Sequence, residues 1–212
     1  MLAAVVLFFS AALFFGCSGA YYGAMEQMGF HKRDILVERV EAARDAQSEA
    51  QEQFKSALEQ FGSVVRIADT DLKNAYETMN MEYEASEKAA DNVSERIDKV
   101  ESVADDLFEE WEDELALYKS AELQNSSRRK LQETRARYLE MLESMHRAES
   151  SISPVLSTFR DNVLFLKHNL NAQAIGSLKM EFSSLKGEID LLIRKMNTAI
   201  EMSDRFISDI RQ

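Results

Sequence analysis

LKNAYETMNMEYEASEKAADNVSERIDKVESVADDLFEEW, residues 72–111, decides the fold. Leu72, Tyr76, Met79, Tyr83, Ser86, Ala90, Val93, Ile97, Val100, Ala104, Leu107 and Trp111 recur in alternating steps of four and three, and only Ser86 is not apolar. A strand turns successive side chains to opposite faces with a period of two, so it cannot produce that spacing. A helix with 3.6 residues per turn does, and it gathers these residues into one narrow stripe that must be buried against other helices. Trp111 lies on the stripe and is expected in the core.

The same period continues on both sides. Upstream lie Leu36, Val40, Ala43, Ala50, Phe54, Ala57, Phe61 and Val64, with Gln47 as a polar interruption. Downstream, one segment carries Leu131, Tyr138, Met141, Met145, Ala148, Ile152, Val155, Phe159, Val163, Leu166 and Leu170. A last one carries Ile175, Leu178, Phe182, Leu185, Ile189, Leu192, Met196, Ala199, Phe206 and Ile210. Corners are expected near residues 68–71, at 119–127 and at Asn169–Asn171. The chain of 212 residues has one proline and seven glycines, too few for the turns of a sandwich or a wound sheet. The prediction is an all-α, elongated, up-down antiparallel four-helix bundle or coiled coil, with helices at about 31–67, 70–119, 122–169 and 172–210. Pro154 falls inside the third segment, where the heptad phase survives it. A kink is favoured over a break that would place Ser153 at an N-cap.

Residues 1–16, MLAAVVLFFSAALFFG, carry no charge and are short for a membrane span. They fit the apolar core of a secretory signal. Gly16 before the lone Cys17 looks like the lipobox of bacterial lipoproteins, although Phe14 and Phe15 depart from its usual residues and no basic residue precedes the run. The expectation is a cleaved signal, lipidation of Cys17, and a tether over residues 17–30. That resemblance implies a membrane partner through the lipid, and Ser18 implies the outer membrane facing the periplasm. Lys32 and Arg33 then lie near the membrane end.

The net charge of −12 is confined to residues 77–114, which hold 15 acids and three basic residues. Such a balance argues against nucleic acid as a partner. A fold-back near residue 121 sets Glu112, Asp113 and Glu114 beside Arg128, Arg129 and Lys130, and Asp105 and Asp106 near Arg135 and Arg137. Glu77, Glu82, Glu84, Glu87, Asp91, Glu95 and Glu101 have no basic complement in the sequence. They form either a solvated face or a docking stripe for a basic partner. Val163 to Leu166 are four successive apolar residues, so Leu164 and Phe165 must meet a second surface or a partner.

No G-x-x-x-x-G-K-[ST] is present, so no loop is available to cradle a nucleotide. Glu143-Ser144-Met145-His146 has the spacing of a carboxylate-bundle metal motif, but it occurs once, and Met145 at a core position turns Glu143 and His146 outward. No catalytic residue, cofactor or metal is expected.

Gly29-Phe30-His31-Lys32-Arg33-Asp34-Ile35-Leu36-Val37 and the stretch Phe159-Arg160-Asp161-Asn162-Val163-Leu164-Phe165-Leu166-Lys167-His168-Asn169-Leu170-Asn171-Ala172-Gln173-Ala174-Ile175, together with Trp111 in its acidic run, are the most distinctive parts of the chain. Over residues 17–212 it resembles a family of uncharacterised proteobacterial lipoproteins defined by a domain of unknown function, some of whose members are labelled DNA repair ATPases. The resemblance implies no activity and no catalytic residue. The expected function is a non-enzymatic, membrane-anchored envelope lipoprotein that acts as a helical scaffold or spacer for a periplasmic protein. The alternative is a holdase-like binding module using acidic and apolar faces. A metalloenzyme or a cytosolic coiled-coil repair ATPase ranks below both.

Overall fold

Five helices follow one another in the computed structural model, which describes residues 31–66 and 71–211. They are α1 (Lys32–Val64), α2 (Leu72–Leu115), α3 (Ala121–Glu149), α4 (Ile152–His168) and α5 (Ala172–Ile210). Because α3 and α4 continue one another, the architecture is an all-α bundle of four rods. Each rod packs on its two neighbours in sequence, and α1 also packs on α5, leaving α1 diagonal to α3 and α4. At 44 residues, α2 runs for roughly 66 Å. Cys17, the signal and the tether lie outside the described residues.

Local chemistry sets the starts of three helices. The side chains of Asp71, Ser120 and Asn171 accept from the backbone N–H of Asn74, Leu123 and Ala174 at 3.3, 3.3 and 3.1 Å. Ser120 corrects the corner expected at 119–127. The turn occupies residues 116–120, and Gln124, already helical, donates to the Leu115 carbonyl at 2.8 Å.

The third rod carries its kink as a two-residue interruption, in which Ser150 and Ser151 keep right-handed helical backbone angles and no loop intervenes. Helix α3 ends at Glu149 and α4 begins at Ile152, with Ser150 and Ser151 between them. Pro154 explains this: it has no N–H for the Ser150 carbonyl, and its ring would crowd that oxygen in a continuous helix. The N-cap is Ser151, two residues before the Ser153 of the alternative reading. Ala148, Ile152, Val155 and Phe159 are nevertheless all buried, so the apolar stripe passes through the break.

Aromatic rings fill the core toward both ends. Phe61 stacks on Phe159 at 6.4 Å between centroids and meets the edge of Phe182 at 5.5 Å, while Tyr83 meets Phe159 at 6.0 Å. Four rods thus share one aromatic node. A Cβ at Gly62 would approach the Phe182 ring to 3.2 Å, so only glycine fits there without displacing it. At the opposite end, Phe108, Tyr138 and Phe206 form a second node, with centroids 5.4 and 6.2 Å apart. Phe108 is buried where the heptad count expected Leu107 and Trp111, both of which are only partly buried. Real helices turn every 3.6 residues rather than 3.5, and over a helix this long the buried face drifts by about one position. Leu170, expected on the stripe, is exposed at the last corner.

The charge pairing of the α2–α3 hairpin follows the expected one only in part, since Arg135 lies near Asp105 but forms its ion pair elsewhere. Arg135 pairs with Glu112 and lies over the Phe108 ring, with 4.9 Å from its guanidinium carbon to the ring centroid. Arg137 reaches Asp209 of α5 at 3.4 Å instead of Asp105 or Asp106. Arg128 donates to Asn125, and among the described residues no ion pair joins Arg128, Arg129 or Lys130 to Asp113 or Glu114. Trp111 Nε1 donates to Ser127 Oγ at 2.9 Å, so a residue expected in the core instead pins the hairpin.

Candidate functional site

The break at Ser150–Ser151 opens the side of the bundle. Both hydroxyls turn back on α3, donating to the Arg147 carbonyl at 3.2 and 2.9 Å. Beside the break lies an open cleft of about 690 Å³, walled by Tyr83, Glu87 and Asp91 of α2, His146 and Glu149 of α3, and Ser153 and Arg160 of α4. It is a polar recess, with three carboxylates, one guanidinium and one imidazole in its walls.

His146 closes one end of the cleft. Its Nε2 is 3.0 Å from Glu101 Oε1 and its Nδ1 is 3.0 Å from Glu149 Oε2. Only an imidazolium donates from both nitrogens. Burial opposes charging, but the hydrogen bonds to Glu101 and Glu149 outweigh it and raise the pKa above the ordinary 6.5. His146 faces outward, as buried Met145 beside it requires, and there it bridges Glu101 and Glu149 while Glu143 pairs with Arg147 at 2.8 Å. A folded-state pKa raised in this way stabilises the fold fully below about 6.5, and the contribution is lost as pH rises through the raised value. The midpoint of thermal unfolding is expected to fall between pH 6.5 and 8.5 by more in the native protein than in His146→Gln. Parallel pH curves would show that the bridge contributes nothing.

The acids of α2 are not a bare stripe. Glu77 pairs with Lys73 at 3.5 Å, and Glu95 pairs with Lys99 one turn on. Glu84 accepts from Asn80 at 2.7 Å, Glu87 from Tyr83 at 2.9 Å, and Glu82 from Gln53 of α1 at 2.8 Å. Glu101 bridges to His146, so among the described residues three of the seven acids, Glu77, Glu95 and Glu101, have a basic partner, two of them one helical turn away and one across the hairpin. Of the seven acids, Glu87 and Asp91 line the cleft. Burial and the neighbouring Glu101 and Asp106 raise the pKa of Asp105, with Arg135 pulling the other way. Arg135 lowers that of Glu112 by its hydrogen bond.

Leu164 and Phe165 are exposed at 45% and 38%, on the rod opposite α1. Phe165 borders a smaller recess of about 370 Å³ with Asp161, Leu178 and Glu181. They stand clear of the cleft, so the sequence-derived docking residues do not converge on one site. Sequence reasoning also missed Arg160 and Glu149, because their approach to α2 depends on where the third rod breaks.

Among the described residues, no group of three or more His, Cys, Asp or Glu side chains is placed to hold a metal ion, and no helix is long and apolar enough to cross a membrane. A family model described as "Protein of unknown function (DUF2959)" matches residues 21–210. The chain belongs to this family. No curated protein and no solved structure matches it. As a DUF2959 protein, the chain has nearly its whole bundle, cleft included, within the span that defines the family.

Proposed function

We propose that this DUF2959 protein is a non-enzymatic, lipid-anchored lipoprotein of the cell envelope whose bundle is a scaffold or spacer for a periplasmic protein. One observation carries the reading. An uncharged apolar run closing on the lone Cys17 leads, through 14 residues, into a rod of four long helices. Lipidation ties such a rod to a membrane face without a spanning helix. The outer membrane, facing the periplasm, is the proposed location. The reading needs no nucleotide, cofactor or metal.

Labelled fatty acid supplied to cells is expected to enter the native protein and to be absent from Cys17→Ala. Native protein without label, or a variant that retains it, would overturn the anchor.

The cleft favours a second reading, a binding module or holdase for basic or partly unfolded chains. Purified protein would then suppress aggregation of a denatured client, and Glu87→Lys with Asp91→Lys would weaken that effect. A pure spacer would show neither behaviour.

A further inference from the structure

The end of the bundle where the described chain begins is uneven. Lys32, at the start of α1, pairs with Glu110 of α2 at 2.9 Å. His31, Lys32 and Arg33 share a recess with Trp111, Glu114 and Ile210, which brings the beginning of α1 and the end of α5 to this level. Helix α2 continues past it. Glu114 still borders that recess, and α2 ends one residue later at Leu115, so the corner at residues 116–120 projects one helical turn, roughly 5 Å, past the start of α1.

That projecting tip is apolar where a solvated corner would be polar. Leu117 is 77% exposed, Leu123 59% and Tyr118 42%. The tip is also held in shape. Ser120 caps α3, Gln124 ties back to the Leu115 carbonyl, and Trp111 is fastened to Ser127. Its exposed charges, Lys119 against Asp113, Glu114 and Glu122, are not a basic patch.

We propose that this hairpin tip is a second membrane contact, in which Leu117, Tyr118 and Leu123 enter the interfacial layer of the bilayer that holds the amino-terminal anchor. The inference rests on the lipid-anchored reading. The occupant follows from where the chain leads. Residues 17–30 enter the bundle at this same end and reach at most about 50 Å when extended, so an anchored chain keeps the tip within reach of the bilayer. Two leucines and a tyrosine suit that layer, where an aromatic ring lies at headgroup depth and aliphatic side chains go below it. With carboxylates around the tip, the contact is apolar and does not select anionic lipid. It would stand the rod upright, with Leu164 and Phe165 away from the membrane.

The test uses the full chain reconstituted into phosphatidylcholine vesicles, with and without brominated lipid. Leu117→Trp and Leu164→Trp are each made in the native background, which keeps Trp111 and its bond to Ser127, and the emission of the native protein is subtracted. Both sites are exposed, and helicity by circular dichroism checks the fold. Emission from position 117 is expected to shift to the blue on reconstitution and to be quenched by brominated lipid, with no dependence on added phosphatidylglycerol. Emission from position 164 is expected to do neither. Protein that floats with the vesicles while position 117 stays unquenched overturns the tip contact and leaves the anchor standing. Protein that does not float overturns both. A blue shift at position 117 that needs only higher protein concentration, without vesicles, assigns the tip to a second copy and also overturns the proposal.

Discussion

Phe159→Ala is expected to destabilise the bundle by about 3–5 kcal/mol, the usual cost of removing a fully buried ring. Phe159 has no solvent exposure and meets rings from two other rods, Phe61 and Tyr83, with Phe182 of a third behind Phe61. Helices cannot close on the void easily, because the Phe182 ring already sits against Gly62. A domain of this size loses about 2–4 °C per kcal/mol, so the thermal midpoint should fall by roughly 10 °C. The nearby Phe165→Ala, on a partly exposed side chain, should change it far less. Equal losses at the two positions would mean that the aromatic node is not a rigid part of the core.

Gln47→Leu is expected to act in the opposite direction. Gln47 is wholly buried, and neither its amide nitrogen nor its oxygen has a partner. Its level is set by contacts on either side. Arg44 meets Asp204 at 3.0 Å and Gln51 meets Asn197 at 2.8 Å, so Gln47 lies against the stretch of α5 that carries buried Ala199 and Ser203. Ser86 and Ser203 are also buried, but each donates to the carbonyl four residues back, at 2.7 and 2.8 Å, and is satisfied within its own helix. A buried polar group without a partner costs about 1–3 kcal/mol, and leucine of similar shape removes that cost. The urea midpoint should rise with an unchanged slope. A lower midpoint would show that the amide is satisfied, as a buried water among the surrounding small side chains would do. A lower slope would assign Gln47 to keeping the four rods in one register, as polar residues at core positions do in coiled coils.

Much of the bundle was legible before any coordinates. The stripe from Leu36 to Val64 is buried at every position named from spacing, Gln47 included. Heptad spacing works there because α1 is short enough for the drift between 3.5 and 3.6 residues per turn to stay small. Along α2 the same count holds less well: Tyr76 and Tyr83 are only partly buried, and past Ala104 Phe108 takes the core place expected for Leu107 and Trp111. The candidate site was less legible. Glu87 and Asp91 were singled out as acids, but nothing local to them indicates that His146, Glu149 and Arg160 face them across a cleft.

The sequence by itself determined the number of rods, their antiparallel order and most of the apolar faces. Those follow from side-chain periodicity and from corner residues such as Asp71 and Asn171, which act within one turn of the chain. It also located the charge on α2 and the apolar run ending at Cys17. Only the tertiary structure decided that Pro154 interrupts the third rod at Ser150 and Ser151, that His146 bridges Glu101 and Glu149, that Arg135 chooses Glu112, and that Leu117 projects beyond the start of α1. Each of these depends on the axial stagger between rods. A shift of one turn, about 5.4 Å, leaves every heptad intact while exchanging every cross-helix partner. Stagger is settled by large rings that meet across rods, Phe159 with Phe61 and Tyr83, and Phe108 with Tyr138, which no single segment encodes.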